Sequence, residues 1–357
     1  MTDPYALHDR ALEILRPYGP SLANGLFNHA PMVVEALAAM GRGGDALAWI
    51  EAERAGFQPR PSAQDPIDPA HWRETLGARE RFEDWAVFFR AEIAERSWRA
   101  ALDLWAQRLA PGYGAAAVHG VLRTAHAARA LAAEATAPRL DELADALAAW
   151  AASYAELPVE AGAECGDLDP EPALGAVTPI AAELRPTGGS ITGGLARLAR
   201  ARDFAAETAR ADLSGDADAI ADALVLAFAR LFLDAARDAY GAVVFTHAVT
   251  GAAAARNLLP LTGEATGRAL LSGAWRTGCA LKAVFLPADG EAAADLAVPA
   301  PDALAEAAVR HGDDHAIKLA EACLSSHARR PEPDLLRAGA LALRLLPARE
   351  TATAAAS

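Results

Sequence analysis

The chain has 357 residues, 53% of them hydrophobic and only 6% aromatic, with a formal charge of -14. That length can bury one large core or two, and the acidic balance excludes the basic footprint of a nucleic-acid binder. No apolar run reaches the roughly 18 residues that span a bilayer, and "MTDPYALHDR" lacks the basic-then-apolar order of a signal peptide. The three cysteines, Cys165, Cys279 and Cys323, are odd in number and far apart, so they suggest neither a disulfide framework nor a zinc ribbon. The expectation is a soluble, reduced, cytoplasmic protein.

Alanine and leucine favour helix, and clusters of β-branched residues are scarce. Apolar residues recur every three or four positions through residues 5–15, 31–40, 82–109, 115–133 and 140–157, and again through 195–211, 217–240, 243–259, 267–285, 302–325 and 334–346. Gly41 follows one such run, "APGY" (110–113) separates two others, and Asp302 offers an N-cap before Ala303. No run of alternating strands stands out. The pattern predicts an all-α fold, one large domain of about eleven helices around a central site. Residues 158–194 are dense in proline, glycine and acid and read as a connection or lid. They separate an N-terminal helical half (1–157) from a C-terminal half (195–347), with 348–357 as a flexible tail.

Motifs for nucleotides and hydrolysis are missing or incomplete. "GRGGDA" (41–46) follows a helix rather than a strand, and "GGSITGGLA" (188–196) lacks the lysine of a phosphate loop. There is no G-x-S-x-G elbow, no H-E-x-x-H pair and no E-x-x-H of the helical di-iron type.

The histidines carry more. His8, His71 and His327 sit among polar residues and read as surface positions. The other six fall in four apolar contexts: "FNHAPMV" (27–33), "VHGVLRTAHAA" (118–128), "VFTHAVTG" (244–251) and "RHGDDHAIK" (310–318). His119, Arg123 and His126 are spaced 0, 4 and 7 on one helix face, and His311, His315 and Lys318 repeat that spacing. Helical imidazoles so spaced can converge on one cation, although a lone histidine on an apolar face is more often a hydrogen-bonded core residue. Asp313 and Asp314 read first as surface charges, or as groups that orient a ligand imidazole. Arg123 is either a buried clamp for substrate or a salt-bridge partner, and Lys282 an interfacial lysine. Of 33 basic residues only Lys282 and Lys318 are lysine. A lysine kept beside histidines matters because arginine cannot become a neutral amine.

Four segments, "NGLFNHAPMVVEALAAMGR", "HGVLRTAHAARAL", "FTHAVTGAAAARNLLP" and "DDHAIKLAEACL", together resemble the questin oxidase-like family in its bacterial branch, from about residue 20 to residue 325. The resemblance implies an oxidoreductase that opens a ring of an aromatic polyketide, anthraquinone- or anthrone-like, with dioxygen. Some fungal relatives are described as NADPH-dependent Baeyer–Villiger-type oxidases, others as non-haem iron enzymes whose metal is held by histidines and a carboxylated lysine. Carried over, the resemblance puts His29, His126, His247, His315 and Lys318 on the metal. Iron(II) is the expected ion, with another divalent metal as the substitute, and carbon dioxide supplies the carboxylation of Lys318. His119 and His311 then fall just outside the ligand set as catalytic or substrate contacts, as does Arg123; His119 and His126 could exchange roles. The segment before H-x-x-K departs from the Trp-rich fungal pattern and reads "VRHGD" here, which leaves the substrate open. So are the need for NADPH and a homodimer. The alternatives are a metal-free NADPH oxidase, a helical His/Asp hydrolase suggested by "HGDDH", and a non-catalytic binding protein.

Overall fold

A computed structural model describes residues 5–159, 165–288 and 296–349. Part of the expected connection, 160–164, and most of the expected tail, 350–357, lie outside those residues.

The first half of the chain runs α1 (His8–Leu15), β1 (Tyr18–Leu22), α2 (Ala30–Ala39), α3 (Ala46–Glu53), β2 (Phe57–Pro59), α4 (Phe82–Arg96), α5 (Trp98–Leu109), α6 (His119–Ala133) and α7 (Ala137–Ala152). It continues through α8 (Pro170–Gly175), α9 (Ile191–Leu195), α10 (Phe204–Thr208), α11 (Ala217–Ala235), α12 (Ala239–Leu258), α13 (Glu264–Phe285), α14 (Pro301–His311), α15 (Asp314–Arg329) and α16 (Pro333–Leu345). The fold is all-α, as the periodicity predicts. The sixteen α-helices among the described residues exceed the expected eleven for local reasons. Ser97, at φ 82°, breaks the 82–109 run into α4 and α5, and Gly312, at φ 74°, breaks 302–325 into α14 and α15. The proline-rich connection also contains two short helices, α8 and α9, and α3 forms where no run was read.

Two short strands, β1 and β2, pair antiparallel with Tyr18 opposite Pro59 and Leu22 opposite Phe57. "YGPSL" and "FQP" are too short to alternate visibly, so periodicity had no signal there. Helix starts follow the local chemistry. Ser97, Asp216, Asp238 and Asp313 accept from backbone N–H groups of the helices they open. α14 is an exception to the expected cap: Ala300 precedes it, Pro301 opens it, and Asp302 lies inside its first turn.

The main core joins elements from both ends of the chain. Trp85, Phe89, Trp105 and Trp150 are buried with Phe228, Phe245 and Trp275; truncating one of these to alanine costs about 3–5 kcal/mol. α6 packs on both α7 and α12, and α12 packs on α15. A smaller core of α1, α2 and α3 takes in Ile317 of α15 beside Val33, Val34 and Leu37. Through it, α2 and α15 are held side by side. The helices that carry the four apolar histidine contexts therefore meet in one place.

Candidate metal centre

His29 is the residue before α2. It is held there by Asn28, whose side chain donates to the Gly19 carbonyl (3.1 Å) and accepts from the Ala30 N–H (3.1 Å). His119 opens α6 after a run of three left-handed residues, Ala116, Ala117 and Val118, with φ of 47°, 55° and 61°. Such backbone is costly for alanine and more so for valine, and it brings the Ala116 carbonyl back onto His119 Nδ1. Gly120 lets α6 approach α7 closely, since a Cβ there would lie 2.6 Å from Trp150. His247 is in the middle of α12, and its Nδ1 donates to the Val243 carbonyl at 2.6 Å. His315 lies in the first turn of α15, where Asp313 accepts from its backbone N–H and from that of Ala316, both at 3.0 Å.

The four rings form a closed square. Centroids are 4.6 Å apart for His29–His119, 4.9 Å for His119–His247, 5.3 Å for His247–His315 and 4.9 Å for His315–His29. The Nε2 atoms of His29 and His119 lie 2.6 Å apart, and those of His247 and His119 3.3 Å apart. Each Nδ1 faces an oxygen instead. Asp314 supplies it for two rings, 2.6 Å from His315 Nδ1 and 3.0 Å from His29 Nδ1, both out of line for a hydrogen bond. A carbonyl only accepts, so His119 and His247 carry their proton on Nδ1 and keep the Nε2 lone pair free.

Burial reinforces this state. It lowers His29 to about 4, with Lys318 adding to the effect, and pushes His119 and His247 well below the usual histidine value. Nitrogen lone pairs 2.6 Å apart repel unless a proton or a cation lies between them. The donor set thus fits a cation: burial disfavours the charged form of His29, His119 and His247, and carbonyls fix the Nδ1 of His119 and His247 so that their Nε2 lone pairs face the other rings. His29, His119 and His315 also place one nitrogen each within 4.8 Å of one another. Behind them Lys318 is 1% exposed, and its Nζ has no hydrogen-bond partner. Burial lowers it from 10.5 to about 8, against the opposing pull of Asp314 and Asp313.

The square forms the floor of a cavity of about 390 Å³ whose walls include Leu26, Phe27, Phe82, Ile191 and Tyr240. Phe27 stacks on His119 at 4.8 Å and 12°. Gly189, Ser190, Ile191 and Thr192, from the proline- and glycine-rich connection, line it as well.

The structure brings His29, His119, His247 and His315 together and separates other sequence candidates from them. His126, two turns after His119, points its Nδ1 at Glu35 (2.6 Å), which Arg129 and Tyr5 also engage. Its helix face is shared with Lys318 along a small cleft. Arg123 makes a buried two-point bond to Glu142 at 2.7 and 2.8 Å and does not line the main cavity. His311 Nε2 donates to the Leu346 carbonyl (3.2 Å), which holds the chain after α16. Of the three histidines expected at the surface, His8 is buried at 3%, edge-on to Tyr5, because α1 turns it onto α2 rather than outward. Lys282 donates to the Leu174 and Gly175 carbonyls and closes the end of α8. Sequence reasoning missed Phe27, although it stands two residues before His29, and it undervalued Asp314.

No helix of the described residues is long and apolar enough to cross a membrane. No curated protein matches the chain. Residues 26–323 match the model of a family described as questin oxidase-like, a span that contains all four converging histidines and Lys318. The chain belongs to the questin oxidase-like family, named for an oxidase.

Proposed function

We propose that this protein is an oxidoreductase that binds iron(II), or another divalent cation, on His29, His119, His247 and His315. In this reading it uses dioxygen to open a ring of an aromatic polyketide of the anthraquinone or anthrone type. One observation carries the reading: the Nε2 atoms of His29, His119 and His247 are turned to one another, the His315 ring closes the square, and an oxygen faces every Nδ1. His119 takes the place that the resemblance gave to His126, because the Nδ1 of His126 is engaged by a buried carboxylate in a separate cluster. Bound iron with an exchangeable position supplies the activation of dioxygen.

Lys318 contributes the fifth donor. Its buried amine has no hydrogen-bond partner and loses its proton more readily than a free lysine, and the neutral form can add carbon dioxide with loss of a further proton to become a carbamate. That anionic oxygen offsets the charge of a divalent ion that neutral imidazoles alone do not balance. Asp313 accepts from the His315 and Ala316 N–H groups, and Asp314 faces the Nδ1 atoms of His29 and His315. Phe27, Leu26 and Ile191 shape an apolar slot that keeps water from the reacting ring and orients its plane against His119. Tyr240, on the same wall, can hold a ring hydroxyl or carbonyl oxygen.

The test is oxygen uptake by iron-loaded protein against a panel of hydroxyanthraquinones and anthrones, with and without NADPH. The proposal expects uptake and ring-opened product with iron alone. Equal turnover by metal-free protein with NADPH would overturn it.

A further inference from the structure

The cavity above the histidines holds one positive side chain. Arg79, an exposed residue, lines its rim, and among the described residues no carboxylate lines it. Three arginines close to Arg79 in sequence or in the fold are neutralised by carboxylates. Arg60 binds Glu83 (2.5 Å) and Asp145 (2.6 and 2.7 Å), Arg90 binds Asp145 (2.9 Å), and Arg81 binds Asp84. Among the described residues, Arg79 has neither an ion-pair nor a side-chain hydrogen-bond partner, although it stands next to Glu80 and two residues before Arg81 in the same 3-10 turn. Ala149, Ala152 and Ser153, at the carbonyl end of α7, line the same cavity. A helix C-terminus favours a cation beside it, so the wall suits a guanidinium and leaves its donors free for something else. The remaining polar lining is uncharged, with hydroxyls of Ser153, Ser190, Thr192 and Tyr240.

We propose that the substrate of this site is a flat aromatic anion bearing a carboxylate, and that Arg79 is the residue that selects it. The slot takes the ring against Phe27 and His119, and the guanidinium takes the anionic oxygen at the rim. This rests on the cavity being the substrate site of the proposed oxidoreductase, but not on any metal. The protein's overall negative charge repels such a ligand at long range, so an unpaired arginine at the rim is the feature that reverses the preference locally. The forked guanidinium suits a carboxylate by two parallel bonds, which a lysine could not match.

The experiment measures binding of 9,10-anthraquinone-2-carboxylate and of its neutral carboxamide to the full chain, with and without iron, by tryptophan quenching and equilibrium dialysis. The carboxylate is expected to bind about tenfold more tightly than the carboxamide, the equivalent of one charge-assisted contact. Arg79→Gln should remove that ratio while leaving carboxamide binding, melting temperature and metal content unchanged; Arg79→Lys should restore part of it. Added salt should weaken only the carboxylate. A ratio near one in the unaltered protein, a ratio that survives Arg79→Gln, or binding of neither compound would overturn the proposal. Because the ratio is read in metal-free protein as well, a failure of the iron reading leaves this outcome intact, and the reverse.

Discussion

His119 and His126 lie two turns apart on α6, exposed by 8% and 5%, and they end in opposite kinds of surroundings. His126 belongs to a cluster in which every charge is answered. Glu35 accepts from Tyr5 (2.6 Å), from Arg129 (2.8 and 2.5 Å) and from His126, and Arg129 also reaches Glu321 at 2.5 Å. Burial alone would raise the Glu35 carboxyl, but Arg129 and His126 outweigh it and hold it far below the usual range. His119 belongs to a cluster in which nitrogen faces nitrogen and the Lys318 amine faces nothing. Burial and residue type are alike in the two places. What separates structure from chemistry is satisfaction: buried polar groups normally have partners, and the exceptions need a reason.

The largest effects should divide along that line. His29→Ala, His247→Ala or His315→Ala is expected to lower turnover by about 100-fold or more and to remove most bound metal, since a site with few ligands tolerates little loss. His126→Ala should keep its metal and instead lose about 2 kcal/mol of stability, the cost of one missing hydrogen bond to a buried carboxylate. Metal analysis and urea unfolding of the same preparations read both.

Lys318 gives the next contrast. Lys318→Arg is expected to be as damaging to metal content as Lys318→Ala, because a guanidinium keeps its charge beside a cation site, whereas Lys318→Glu keeps part of it. Protein incubated with carbon-13 bicarbonate and loaded with a diamagnetic ion should show a carbamate carbonyl resonance that all three substitutions abolish. Full activity of Lys318→Arg would remove this lysine from the site.

The two neighbouring aspartates should behave differently from each other. Asp314 faces two Nδ1 atoms and Arg349, so Asp314→Asn is expected to weaken metal affinity roughly 10- to 100-fold and to alter the nitrogen-15 shifts of His29 and His315. Asp313 caps α15, so Asp313→Ala should cost about 1 kcal/mol of stability with far less effect on affinity.

A further expected effect lies outside the site. Burial holds His8 to about 4 in the folded protein, against 6.5 when free. Its folded pKa is depressed, so the unfolded chain takes up a proton first as the pH falls below 6.5. Stability from this residue is then lost between pH 6.5 and 4, about 2 kcal/mol of it by pH 5. The loss of unfolding free energy between pH 7 and pH 5, read from urea titrations, should shrink by that amount in His8→Gln.

Helical class was legible because alanine-rich periodicity depends on local residues alone, whereas the break at Gly312 passed unread inside the 302–325 run although glycine is the residue that favours φ 74°. Ser97 gave no such sign, since nothing about serine announces φ 82°. Within the site, His29, His247, His315 and Lys318 were within reach from their apolar contexts and from the family pattern. The choice between His119 and His126 was not. Both sit on one face of one helix, and what distinguishes them is a strained turn built of Ala116, Ala117 and Val118, residues that normally avoid it, and a carboxylate 91 positions away in sequence. Arg123 failed as a clamp for the same reason: its partner Glu142 lies on the next helix, and helix spacing says nothing about what a neighbour presents. Periodicity reports which face is buried, not what it is buried against.

Calorimetric titration of metal-free protein with iron(II) under anaerobic conditions, run on the unaltered chain, His119→Ala and His126→Ala, decides between the two histidines. One equivalent should bind to the unaltered chain and to His126→Ala, and binding should be weakened at least about 100-fold in His119→Ala. Tight binding that survives His119→Ala and disappears in His126→Ala, or no stoichiometric binding by any of the three, would contradict the four-imidazole centre.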